Sequence, residues 1–368
     1  MILRNIEILD FKNIREARID FSEGVNCLLG MNGMGKSNLL EAIHFLSFAR
    51  PFSSMPESAL IRHGAESLLV KGEYLMDAGG VENISCGIAR GKGKTLRRQG
   101  KEYEKISQHI GRFPLVTVSP QDSSLVTGNG EERRRLMNMV ISQADGAYLS
   151  HLIAYNRALE SRNRMLRAGV RDDILYESVE SAMETAANAI HSTRSEWVRE
   201  LSPVFASFYG EIAGNDERAS LKYNSVLNTE TLREALLRKR GKDTALGYTS
   251  VGPHRDDLEM SLGHYSMRRL GSQGQIKTYT IALRLAIFEF LRKRRGLTPL
   301  LLLDDIFDKL DADRVAHIMR LVSASDSFGQ IFITDTNRKH LDEIISEING
   351  TPLLLSVKNG HFTPHETH

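Results

Sequence analysis

Cysteine is almost absent: Cys27 and Cys86 stand alone, each in an apolar or alternating stretch. That excludes a disulfide framework and a cysteine-built metal cluster, and the expected setting is a reducing cytoplasm. Long apolar runs are missing too. None approaches the ~20 residues that span a bilayer, and the N-terminus alternates like a strand instead of carrying a signal peptide, so the expectation is a soluble protein, not exported, with no membrane partner. Nor is there an excess of charge of one sign: 48 Lys and Arg face 46 Asp and Glu, a formal net charge of +2. Any affinity for nucleic acid must therefore come from local patches. With 368 residues the chain is long enough for two domains, or one large domain with an insertion.

What is present is concentrated first in Gly30-Met31-Asn32-Gly33-Met34-Gly35-Lys36-Ser37, which fits G-x-x-x-x-G-K-[ST] at every fixed position. The apolar run from Val25 to Leu29 precedes it as a buried strand should, and Asn38-Leu39-Leu40-Glu41-Ala42-Ile43 opens a helix after it. Such a loop turns its backbone N–H groups inward at a helix N-terminus, which makes an anion nest. Glycines 30, 33 and 35 are expected at positive φ. We read the stretch as an ATP site: Asn32, Gly33, Gly35 and Asn38 line the cradle, Lys36 reaches the β- and γ-phosphates, and Ser37 offers a hydroxyl to Mg2+.

Elsewhere, alternation over Ile6-Glu7-Ile8 and Ala17 to Phe21 predicts paired strands around a Lys12-Asn13 turn. Leu68 to Tyr74 and Val81 to Ala89 read as a hairpin, a further turn falls at Gln99-Gly100, and Leu115 to Val118 is a short strand. From about Glu131 the period changes to that of long helices. Leu152, Tyr155, Leu159 and Leu166 form one stripe; after Gly169 a second carries Val179, Ala182, Ala186, Trp197, Leu201 and Phe208. An antiparallel helical arm and an ordinary helical subdomain both fit.

A second concentration of signals follows. Ser272-Gln273-Gly274-Gln275 stands before a helix whose Tyr279, Leu283, Ile287 and Phe290 share a face, so its amides form another anion site. Leu300 to Leu303, ending in Asp304-Asp305, reads as a buried parallel strand, Ile331 to Thr334 reads as another core strand, and Leu353 to Val357 reads as part of a terminal hairpin. Asp304 is the expected Mg2+ partner of Ser37, and Asp305 either orients the attacking water or is a solvated acid at a strand end. In ATPases of the ABC and SMC type the Ser-x-Gly-Gln signature binds the γ-phosphate of ATP held by the opposite subunit. Ser272, Gly274 and Gln275 are accordingly assigned to nucleotide held by a second copy, and Leu310-Asp311 is a candidate D-loop.

The chain resembles the RecF DNA replication and repair family over nearly its whole length. The resemblance rests on Asn38-Leu39-Leu40-Glu41-Ala42, Ser119-Pro120 with Glu132 to Arg135, Gly252-Pro253-His254-Arg255-Asp256-Asp257-Leu258, Ser272 to Gln275 and Leu303-Asp304-Asp305. It implies an α/β fold: a P-loop NTPase head of ABC type with a mixed sheet and an inserted helical arm or lobe. The expected division is residues 1–125 and 295–368 as the ATPase lobe, and 126–294 as the arm and signature lobe. It further implies an ATP-dependent homodimer, weak DNA-stimulated ATPase activity, binding to duplex or gapped DNA, and help with recombinase loading through RecO- and RecR-type mediators.

The departures are few. Ser37 replaces the usual Thr, and Asp305 stands where Glu is common, which predicts slow hydrolysis. Gln121 follows Ser119-Pro120 where an acid is frequent and is a candidate Q-loop catalytic residue. Thr334-Asp335-Thr336 offers no switch histidine, which leaves the γ-phosphate sensor unassigned, and His254 and Arg255 either pin a loop or touch nucleotide or DNA. Three basic clusters could neutralise phosphates: Arg90 to Lys101, the arginines 157, 162, 164, 167 and 171, and Arg292 to Arg295. The alternatives are another SMC- or ABC-like ATPase, including a transporter's ATPase subunit, or a P-loop small-molecule kinase, against which the second anion site argues.

Overall fold

A computed structural model describes residues 1–52, 55–214, 217–307, 310, 312–323, 328–347 and 352–365. The chain opens with β1 (Ile2–Phe11), β2 (Ile14–Asp20), β3 (Val25–Leu29), α1 (Lys36–Phe48), β4 (Ser67–Leu75), β5 (Val81–Ala89), β6 (Gly93–Arg98), β7 (Lys101–Glu102) and β8 (Leu115–Val118). Its middle carries α2 (Ser123–Thr127), α3 (Gly130–Ala144), α4 (Gly146–Arg167), α5 (Asp173–Ala213), β9 (Ala219–Asn224), α6 (Leu232–Leu246), β10 (Asp257–Leu262), β11 (Tyr265–Ser266), α7 (Met267–Leu270) and α8 (Gln273–Arg295). Then come β12 (Leu300–Asp304), α9 (Ala312–Ser323), β13 (Ile331–Asp335), α10 (Arg338–Glu347), β14 (Leu353–Lys358) and β15 (His361–Pro364). Two compact units result: Met1–Asp122 with Glu211–Gly214 and Ile287–His368, and Ser123–Gly210 with Asn215–Ala286.

The first unit holds two sheets. One is antiparallel in the order β2-β1-β4-β5-β6-β7; the other runs β15-β14-β3-β13-β12-β8 and is parallel except for its terminal β14-β15 hairpin. Helix α1 packs against strands of both sheets, which explains why Leu39, Leu40, Ile43, Phe45 and Leu46, spread round the helix, are all buried. The four leucines of β12 are buried for the same reason that parallel strands read as unbroken apolar runs: both faces are covered. The predicted turns lie where the sequence places them, with Gln99 and Gly100 at φ 50° and 76° in a two-residue hairpin between Arg98 and Lys101.

The second unit is built on an antiparallel pair, α4 and α5. Arg194 Nε donates to Tyr148 Oη at 3.1 Å while Arg162 Nε donates to Glu180 at 2.8 Å, so contacts advance along one helix as they retreat along the other. The pair is also the body of a packed lobe, because Asp243 of α6 accepts from Arg162 Nη1 at 2.8 Å. The stripe of α5 runs through Tyr176, Met183, Ala187, Ile190, Arg194, Trp197, Leu201, Phe205 and Tyr209, all buried. This corrects the expected stripe: Ala182 is exposed, and Val179 and Phe208 are only half-buried. A buried arginine in the stripe broke the apolar period that sequence reading relies on.

Arg162 is fully buried among Glu180, Asp243 and Thr249. Removing one partner of such a network strands the others without solvent, at about 3–5 kcal/mol. We expect Arg162→Met, which keeps the aliphatic stem, to destabilise this unit by that amount in urea. Trp197 is the chain's one tryptophan and lies buried in the same unit, so its fluorescence reports the loss directly. An unchanged midpoint would show that the network contributes nothing net.

Candidate nucleotide-binding site

The phosphate-loop residues follow β3, and the acid pair ends β12, with β13 between the two strands. Because all three run parallel, their carboxyl ends lie side by side. The register pairs Thr334 with both Leu28 and Asp304. This brings residues distant in sequence to one edge: Ser37 Oγ donates to Asp304 Oδ1 at 2.8 Å, and Thr334 Oγ1 donates to the same oxygen at 2.8 Å.

Lys36 begins α1 and is buried, its Nζ donating to the carbonyls of Gly30 at 2.7 Å and Met31 at 3.3 Å. The ammonium thus spans the loop it belongs to. Gly33 and Gly35 have φ of 78° and 115°, as the turn requires. Gly30 does not. It is needed for a different reason, since a Cβ there would sit 2.5 Å from the Val357 carbonyl oxygen of β14. The loop is held from its flank as well. Asn38 Nδ2 donates to Asn13 Oδ1 at 2.7 Å, Asn13 Nδ2 reaches the Gly33 carbonyl at 3.4 Å, and Gly360 N donates to Met34 O at 2.7 Å. Asn32 is exposed within the loop.

Burial pushes the Asp304 carboxyl above its ordinary range, opposed by the hydroxyls of Thr334 and Ser37 and by the charge of Lys36. Asp305 is raised as well, again chiefly by burial, with Lys36 opposing it and Asp304 and Asp335 adding to it. Its backbone is unusual: φ is 44°, a left-handed conformation that costs a non-glycine residue on the order of 1 kcal/mol or more. The Asp305 N–H donates to Thr334 Oγ1 at 2.9 Å. Thr334 was the residue missed by motif reading, because the signal sought after the last core strand was a histidine. Gln121 is exposed in the turn after β8 and forms no hydrogen bond with Ser37, Asp304 or Asp305 among the described residues. Asp311 of the candidate D-loop lies outside the described residues.

Ser272, Gly274 and Gln275 open α8 in the second unit. Ser272 N donates to Gln275 Oε1 at 3.0 Å and Gln275 N to Ser272 Oγ at 3.2 Å, a reciprocal cap. Gln275 Nε2 donates to Glu217 at 2.9 Å, and Ser272 itself is exposed. The start of this long helix therefore has a fixed shape and an accessible face.

The Gly252 to Leu258 stretch is a structural clasp. Arg194 donates to the Pro253 carbonyl at 2.8 Å and to Asp256 at 3.1 Å, and Arg133 grips Asp257 through Nε at 2.6 Å and Nη2 at 2.9 Å. Tyr155 Oη bonds His254 Nδ1 at 2.7 Å, and the other ring nitrogen meets the Thr249 carbonyl at 2.9 Å. Burial pushes this imidazole down to about 4, so it is neutral at pH 7 and pins the loop. Arg255 is exposed beside Tyr248, 5.3 Å from its ring.

The basic clusters divide in the same way. Arg162 is buried and ion-paired, which removes it from the DNA-contact candidates, whereas Arg157, Arg164, Arg167 and Arg171 are exposed. In the 90–101 cluster Arg98 is bidentate with Glu82, whose carboxyl is drawn down to about 2 chiefly by Arg98 and Arg112, and Lys94 pairs with Glu57. Lys92 and Lys101 are exposed. Arg292 is held at 2.8 Å by Glu289, one turn back on α8. No described helix is long and apolar enough to cross a membrane.

Comparison with known proteins gives a consistent result. The model of the RecF/RecN/SMC N terminal domain matches residues 2–352. A DNA replication and repair protein RecF from Parabacteroides distasonis is 47% identical over 366 residues, covering 100% of both chains. Among solved structures, the recombination mediator protein RecF-ATP of the RecFOR pathway superposes with a TM-score of 0.89 at 28% identity, over 99% of this chain and 98% of that one. A Pyrococcus furiosus Smc head domain superposes with a TM-score of 0.59 at 18% identity, over 98% and 95%, a likeness of fold alone.

Proposed function

The chain belongs to the RecF family of DNA replication and repair proteins, and from that premise we propose that it is an ATP-switched DNA-binding protein of recombinational repair. Its fold is that of an ABC-type ATPase head. In this proposal ATP lies in the Gly30 to Ser37 loop of one copy and is covered by Ser272, Gly274 and Gln275 of a second. The dimer clamps duplex or gapped DNA, and slow hydrolysis releases it. The first unit is the ATPase lobe and the second the arm and signature lobe.

The observation that carries this reading is the 2.8 Å bond between Ser37 Oγ and Asp304 Oδ1, across 267 residues of sequence. Two hard oxygens that close, at the carboxyl edge of a parallel sheet beside an anion nest, suit Mg2+ with a nucleotide triphosphate. Bound there, the ion would neutralise charge on the β- and γ-phosphates. Lys36 adds a second cation, Asp304 and Ser37 hold the metal side, and Asp305 orients water. Exposed cations on α4 and at Lys92 and Lys101 supply the DNA-facing charge. Mediators of the RecO and RecR type and a recombinase downstream are the partners this reading implies. The small-molecule kinase alternative finds no support in the family.

Asp305→Asn tests the hydrolytic role. Neutralising the acid leaves the Asp304 and Ser37 pair in place, so ATP binding and dimerisation should survive while turnover falls by roughly a hundredfold or more. The dimer on DNA should last correspondingly longer. Turnover and dimer lifetime are measured on one preparation; undiminished turnover would move the role to another residue, with Gln121 first in line.

A further inference from the structure

Thr334 lies at the end of β13 after Ile331-Phe332-Ile333 and is completely buried. Valine would satisfy such a strand position equally well on packing and propensity. The hydroxyl must therefore be accounted for by its bonds. It has one proton and two lone pairs. The proton goes to Asp304 Oδ1 at 2.8 Å, not to Asp305 Oδ1, which stands 3.5 Å away. A lone pair accepts the Asp305 N–H at 2.9 Å. One atom thus orients the carboxylate that Ser37 also touches and fastens the backbone of the next acid in its left-handed conformation.

We propose that Thr334 is a positioning residue for ATP hydrolysis, whose hydroxyl locks the Asp304 carboxylate on the metal side and the Asp305 backbone on the water side into one arrangement. This rests on the reading of Asp304 and Asp305 given above. It fills the place left by the missing switch histidine with a different device. Completely buried, Thr334 acts through the two aspartates it bonds. Because β13 lies between β3 and β12 and Thr334 registers with strand residues on both sides, it is the side chain from which such coupling can be exerted.

The test compares Thr334→Val, which keeps shape and loses the hydroxyl, with Thr334→Ser, which keeps the hydroxyl. Fluorescent-ATP affinity is measured with and without Mg2+, and turnover separately. For Thr334→Val we expect metal-free affinity near wild type, a smaller gain in affinity on adding Mg2+, and turnover lower by about 10–100-fold, the usual effect of removing a partner behind a metal ligand. Thr334→Ser should restore both. In an Asp305→Asn background the valine substitution should lower turnover by a smaller factor than it does in the wild type, since part of its effect passes through that residue. Wild-type turnover and Mg2+ gain in Thr334→Val would overturn the proposal, as would equal losses in the serine variant. Asp304→Asn separates the two levels. If it too keeps the full Mg2+ gain, the metal-site reading fails and takes the proposal with it; if it loses the gain while Thr334→Val does not, only the role of Thr334 falls.

Discussion

A chain carrying Ser272→Arg is expected to bind ATP as a monomer with near-normal affinity and to form no ATP-dependent dimer. Ser272 is exposed at the start of α8, in the unit that does not contain the phosphate loop. Its side chain caps Gln275 N at 3.2 Å, and loss of such a cap costs only about 1 kcal/mol, which the buried remainder of α8 can absorb. What arginine changes is the accessible face: a long cation would stand where the second copy's phosphates must approach and would displace the Gly274 amide. DNA affinity should then lose its dependence on nucleotide, because in the proposed clamp only a closed pair would present two basic surfaces to one duplex. Ser272→Ala, which loses the cap without adding bulk, is the control for helix fraying. Titration with fluorescent ATP and sedimentation of the same sample decide the matter: normal ATP-driven dimerisation in Ser272→Arg would remove the signature assignment.

Lys36→Ala should fail one step earlier. The buried ammonium bonded to Gly30 O and Met31 O is the cation placed at the mouth of the loop. A charge-assisted bond to phosphate is worth about 1.5–3 kcal/mol, so its removal should weaken ATP binding by roughly a hundredfold and abolish dimerisation at ATP levels that saturate the wild type. Calorimetric titration with ATP checks the first effect and sedimentation the second. Unchanged affinity would sink the phosphate-loop assignment. The two variants together separate nucleotide capture from closure.

The parts of the site legible in sequence were those whose chemistry fixes both residue type and spacing. The phosphate loop, the apolar run of β12 and the helix-opening Ser272 are such parts, and the fold class was implied by the family resemblance that these and the other motif blocks carry. Parallel topology then did what no local pattern can: it brought Ser37 and Thr334 to the same oxygen of Asp304, a meeting that depends on the strand order β3-β13-β12. Gly30 was legible as a glycine and misread in its reason, since the constraint comes from β14, more than three hundred residues on. The helical unit was least legible. Arg162 and Arg194 look like solvated cations in an amphipathic pattern, and their burial depends on Glu180, Asp243 and Asp256, whose proximity comes only with tertiary folding. Arg194 and Arg133 explain why the Gly252 to Leu258 motif resisted a chemical reading: its acids Asp256 and Asp257 are occupied in holding the fold.

Whether ATP joins two copies of this chain is decided by sedimentation velocity on DNA. The full chain is run with gapped duplex and Mg2+, in parallel without nucleotide, with ADP and with a non-hydrolysable ATP analogue. If ATP joins them, one copy, or none, sits on the DNA in the first two conditions and two copies with two bound nucleotides in the third. A single copy bound with the analogue at saturating protein, or a dimer of equal stability in all three conditions, would contradict it.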